Sequence, residues 1–160
     1  MYQARVPDEE KPAVRWLAFQ LNPDLPKEGI PREEYIERKF GPGHAHSYAH
    51  VMGVRREVGI EFAFDCIGVQ PNTLNAHRLM SYGAEKGRED EVSENLFRAY
   101  FLEGANLADK AALASVGERA GLDRAALAAY LASDDDREKV LRADLEARQA
   151  GINSVPFFIF

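Results

Sequence analysis

The side chains able to start chemistry in this sequence are few. Cys66, in Phe64-Asp65-Cys66-Ile67-Gly68, is its single cysteine. A lone cysteine closes no intrachain disulfide and completes neither a C-x-x-C pair nor a Cys/His zinc quartet. No Lys, Arg or His lies within five positions to favour its thiolate. It therefore reads as a small buried hydrophobe, with a reactive or resolving thiol as the alternative. His44, His46 and His50 form an H-x-H-x-x-x-H pattern, whose last pair would share a helix face as metal ligands can. No nearby carboxylate or Cys completes a site, so these read as helix-surface histidines and no metal is expected. The run Asp134-Asp135-Asp136 reads as the acidic start of a helix, favoured by its dipole, and not as a metal box. Trp16 and Phe19 fit core packing better than a substrate groove, because such aromatics usually fill interiors.

Two extended segments bracket the elements that must position these groups. Val14 to Leu21 carries apolar residues on both alternating faces, which predicts a strand covered on both sides; Asn22-Pro23 ends it. Val155 to Phe160, Val-Pro-Phe-Phe-Ile-Phe, is apolar enough to predict a buried strand. Between them the pattern is helical. One helix starts at Pro31, with Glu33 and Glu34 in its first turn, and stops at Gly41. A second runs from about His44 to Val58. Glu61 to Asp65 is extended or irregular. Further helices run from Asn72 to Gly87 and through Val92, Leu96, Phe97, Tyr100 and Phe101. Two short Ala/Leu helices are capped by Asp109 and Asp123, and a last helix runs from about Asp134 to Ala150. The expected fold class is α/β, a large all-helical subdomain placed between two strands of one sheet, and two strands alone make no stable sheet. The apolar run at Phe160 adds to the expectation of a fragment.

With 160 residues and 46% apolar content, the chain suits one domain that buries roughly 70% of its unfolded surface. Its longest apolar run, Ala125 to Ala132, has eight residues, against the ~20 that a transmembrane helix needs. The N-terminus lacks the basic start and apolar centre of a secretory signal, so a cytoplasmic location without membrane attachment is expected. A net charge of −6, with both signs interspersed, argues against a nucleic-acid partner, which would need clustered Lys and Arg.

Four segments resemble one family. Arg15-Trp16-Leu17-Ala18-Phe19-Gln20-Leu21-Asn22-Pro23, Pro71-Asn72-Thr73 with Ala76-His77-Arg78-Leu79, Leu96-Phe97-Arg98-Ala99-Tyr100-Phe101, and Gly151-Ile152-Asn153-Ser154-Val155-Pro156-Phe157-Phe158 are similar, in this order, to DsbA-like thioredoxin-fold proteins of the FrnE type. The resemblance implies a thioredoxin-like part at 1–26 and 151–160 and a helical insertion at 27–150. It implies that Val155-Pro156 is the cis-Pro turn facing the active site, where exposed backbone can pair with a bound peptide. His77 and Arg78 would face the substrate from the insertion, holding a carboxylate or stabilising a thiolate. Asn72 and Phe19 would border the same cleft. For His77 the alternative is packing inside the bundle, and for Asn72 a helix cap. The family's Cys-x-x-Cys motif has no counterpart here, so the resemblance places the catalytic pair upstream of Met1, with no catalytic residue in the chain itself.

The implied function is thiol-disulfide exchange or disulfide isomerisation on a disulfide-containing protein or small thiol, with no cofactor. In a related branch, 2-hydroxychromene-2-carboxylate isomerase, Ser replaces the attacking Cys and glutathione is the cofactor. A third reading is non-catalytic: an apolar cleft that binds a peptide or ligand, or a homodimer through strand edges.

Overall fold

The computed structural model describes residues 14–41 and 59–159. Its first regular elements are β1 (Ile30–Pro31) and α1 (Arg32–Phe40), and β1 pairs antiparallel with β2 (Val69–Gln70). After β2 come α2 (Leu74–Glu85), α3 (Glu89–Phe101), α4 (Lys110–Arg119), α5 (Arg124–Ala132) and α6 (Arg137–Gln149). Pro31 precedes α1, whose first turn carries Glu33 and Glu34 and whose last carries Arg38 and Lys39; both match the helix dipole. Asp109 and Asp123 cap α4 and α5, accepting from the amides of Ala111 at 2.8 Å and Ala126 at 2.6 Å.

Helix α2 is the centre of the bundle and packs against α3, α4, α5 and α6. Its Leu79 is fully buried with Val92 of α3, Leu113 of α4, and Leu127 and Leu131 of α5. Backbones approach closely at two glycines. A Cβ on Gly83 would meet Val92 Cγ2 at 2.7 Å, and one on Gly117 would overlap Leu127 Cδ2. Small residues at these points let the helices close around Leu79 without voids.

Three expectations need correction. Neither Val14 to Leu21 nor Val155 to Ile159 forms a strand; the one ladder among the described residues, β1 with β2, lies inside the stretch expected to be helical. β-Propensity supplies side chains suited to a sheet, whereas a ladder also needs a neighbouring backbone. Val155 to Ile159, expected to be buried, is exposed, from 49% at Val155 to 72% at Phe158. Cys66, at the end of a 3₁₀ turn (Phe64–Cys66), is likewise exposed rather than a core residue. The helix expected from His44 to Val58, with His44, His46 and His50, lies outside the described residues.

Candidate functional site

Of the expected site residues, Phe19 lies on the segment 14–21 and His77 meets it there, and side chains of three helices hold the segment's backbone. The start of α2 is set by Asn72, whose Oδ1 accepts from Leu74 N at 3.0 Å while its Nδ2 donates to Leu25 O at 2.8 Å. Thr73 is the N-cap residue and makes no side-chain cap bond; Asn72, one position before it, supplies the side-chain cap and also ties the turn after the segment to α2. One turn later, His77 Nε2 lies 3.1 Å from Phe19 O. A carbonyl only accepts, so Nε2 carries the proton and Nδ1 holds a lone pair. That Nδ1 is buried and has no hydrogen-bond partner among the described residues. Burial holds the His77 pKa below the ordinary 6.5; the Phe19 carbonyl and Asp144 oppose this in part.

Helix α6 supplies the rest of the grip. Gln20, itself buried, donates its N–H to Asp144 Oδ1 at 2.7 Å, and Arg148 Nη2 donates to Gln20 O at 2.5 Å. Arg148 Nε donates to Asp144 Oδ2 at 2.9 Å, and its guanidinium lies 4.6 Å from the Phe19 ring centroid. Charge-assisted bonds of this kind are the stronger class. At the other end of the segment, Trp16 N donates to Glu89 Oε1 at 3.0 Å, and the Trp16 ring meets Phe97 of α3 at 5.7 Å. Trp16 is 41% exposed, so it lies on the bundle surface and not in its core.

Arg78 does not face a cleft, which corrects the expectation of a substrate-facing basic pair. Successive helical residues point about 100° apart, and Arg78 turns into the junction of α5 and α6. It is buried, donating to Asp135 O and Tyr130 O at 2.8 Å, Ser133 O at 2.9 Å and Asn75 Oδ1 at 3.0 Å. Of these acceptors, the Tyr130 and Ser133 carbonyls are left over at the end of α5. Asp136, the last of the three aspartates, opens α6 with φ 57°. Its Oδ2 accepts from Tyr130 Oη at 3.0 Å and Ser81 Oγ at 3.2 Å. No cluster of metal-ligating side chains occurs among the described residues.

The peptide bond between Val155 and Pro156 is cis, and both residues are exposed. Glu89, Asp144 and Arg148 were not expected in the site. Asp144 and Arg148 are spaced four apart, which in sequence looks like an ordinary surface pair; nothing there signals that Asp144 is buried against Gln20.

This mostly helical chain with a short two-stranded sheet has a thioredoxin-like DsbA fold with a helical insertion, as its likeness to known proteins shows. The chain belongs to the family described as DSBA-like thioredoxin domain, whose pattern matches residues 2–160. It is 25% identical over 153 residues to an uncharacterized protein, YwbO, of Bacillus subtilis (strain 168), covering 91% of this chain and 70% of that protein. It superposes with TM-score 0.77 and 23% identity on the crystal structure of a probable DsbA oxidoreductase, SCO1869, from Streptomyces coelicolor. That match covers 88% of this chain and 62% of the other, so the chain spans less than two thirds of that neighbour's length. No helix among the described residues is long and apolar enough to cross a membrane.

Proposed function

We propose that the chain is part of a cytoplasmic thiol-disulfide oxidoreductase or disulfide isomerase of the DsbA/FrnE type. The observation that carries this reading is the family match over residues 2–160. Cys66 is the only cysteine, so the reactive pair is assigned to residues upstream of Met1. In the reaction, one thiolate of that pair attacks a substrate disulfide. A mixed disulfide forms as the substrate S–S bond breaks and its outer sulfur leaves as thiolate; the second cysteine then displaces the substrate sulfur, and the pair ends oxidised. Val155, Pro156 and Phe19 are assigned to the substrate side. His77 and Asn72 support that side from below, through the Phe19 carbonyl and the Leu25 carbonyl. The partner is a disulfide-containing protein or small thiol, and no cofactor is assigned.

The test is the reading frame itself, expressed with the codons that precede Met1. A C-x-x-C motif there, with faster reduction of insulin by dithiothreitol, supports the proposal. A confirmed C-x-x-C without acceleration overturns it, and a Ser in place of the first Cys transfers the protein to the glutathione-dependent isomerase branch. An in-frame stop removes both enzymatic readings. The exposure of Phe157, Phe158 and Ile159 favours, as second reading, a surface that binds a peptide or another copy of the chain.

A further inference from the structure

We propose that His77 is the pH-responsive member of a latch that docks residues 14–21 on the helical bundle, closed with a neutral imidazole and opened when Nδ1 takes a proton. The geometry carries this. The closed latch has four bonds to the segment's backbone: Phe19 O from His77, Gln20 N to Asp144, Gln20 O from Arg148 and Trp16 N to Glu89. Three of them converge on two adjacent residues. Only the neutral Nε2–H form of His77 suits the site, because Nδ1 is buried and, among the described residues, has no acceptor to receive a second proton. A proton there leaves an unpartnered N–H and a desolvated charge, a cost that release of the segment and entry of water at the ring would relieve.

The surrounding charges set the direction. On α6, Asp144 favours the imidazolium, but its oxygens are already engaged by Gln20 N and Arg148. Beside it, Arg148 is also held by Asp24 through charge. On α2, Arg78 is turned away toward α5. On α3, Glu89 and Asp90 face Trp16. Burial prevails over Asp144, in line with a His77 pKa below 6.5. The undocked segment then binds the extra proton more readily than the docked one. Docking is complete above 6.5 and weakens as pH falls, by up to about tenfold per pH unit until the docked-state pKa is reached.

The chain's single tryptophan, Trp16, sits on the latched segment and reports its position. On the full chain, Trp16 emission is followed from about pH 7.5 to about pH 5 alongside far-UV circular dichroism. The expected result is a reversible red shift with its midpoint below 6.5 and unchanged helicity. His77→Gln keeps a donor for Phe19 O and cannot titrate, so the shift should vanish. A shift that persists in His77→Gln assigns the effect to Glu89 and Asp90 and overturns the proposal, as does a wild-type protein with no shift. Should that variant fail to fold, imidazole ¹⁵N spectra of the wild type decide. A neutral Nε2–H form at His77 that titrates below 6.5, together with faster exchange of the Gln20 amide, supports the latch. An Nδ1–H form, or titration at or above 6.5, refutes it.

Discussion

Replacing Arg78 by methionine separates a structural arginine from a substrate-binding one. Arg78→Met keeps most of the side-chain length and removes every donor. Four charge-assisted hydrogen bonds are lost, three of them to main-chain carbonyls at the α5–α6 junction, together with the guanidinium packed 4.9 Å from the Tyr130 ring centroid. Asp135 is exposed, so water can rehydrate its carbonyl, whereas Ser133, Tyr130 and Asn75 are half-buried. The bonds to these three are compensated at most in part. At about 1.5 to 3 kcal/mol for each bond to a charged group, and with the arginine's own burial cost recovered, the expected loss is about 3 to 5 kcal/mol. Urea unfolding followed by circular dichroism measures it, and the midpoint should fall without a change in slope. Arg78→Lys keeps the charge but loses the planar fork, and should recover roughly half. A methionine variant within roughly 0.5 kcal/mol of wild type would refute the structural assignment and return Arg78 to the ligand side.

Four further outcomes follow from the packing. Gly117→Ala forces a methyl into Leu127 and to 3.2 Å from Leu79 Cδ1, and should cost about 1 to 3 kcal/mol in the same unfolding assay. Asp109→Ala and Asp123→Ala each remove a cap and should cost about 0.5 to 2 kcal/mol, additively, because the two caps serve different helices. Tyr130 has its pKa raised above the ordinary 10.0 by burial and by its bond to Asp136. The fold favours the protonated phenol, so this contribution is complete below 10 and is lost as pH rises beyond it; above pH 10 the wild type should therefore lose a larger part of its neutral-pH stability than Tyr130→Phe does in the same unfolding assay. Cys66, being exposed, should react with a thiol reagent in the native protein within the mixing time of a free thiol, and Cys66→Ser should shift stability by less than roughly 0.5 kcal/mol.

The elements legible in the sequence were those specified locally. Asp109 and Asp123 announce helix starts because a cap is a contact between near neighbours, and the 3.6-residue spacing of Val92, Leu96 and Tyr100 marks a face buried against α2. Asn72 was legible as a cap for the same reason. What stayed illegible depends on partners distant in sequence. Val14 to Leu21 has the composition of a strand, yet its backbone bonds go to Glu89, His77, Asp144 and Arg148, up to 128 positions away. Cys66 sits among apolar neighbours in sequence, but Gly104 is packed against its backbone, and the residue as a whole faces solvent.

His77 and Arg78 show how far a motif carries without geometry. Adjacent in sequence and both basic, they suggest a single anion-binding pair, but the helix sends them to different neighbours. Arg78 has its fixed charge neutralised by carbonyl dipoles at the end of α5, where a permanent cation is suited to the unpaired acceptors. Among the described residues His77 meets a single carbonyl and no other acceptor, a place that suits a neutral imidazole. Exchanging the two residue types would place an arginine facing Phe19 beside an Asp144 already engaged by Gln20 and Arg148, and a histidine too short and too weakly charged for the α5 terminus. The Ala76-His77-Arg78-Leu79 run is therefore explained by three packing demands, core at Ala76 and Leu79, segment docking at 77 and helix capping at 78, before any substrate is considered.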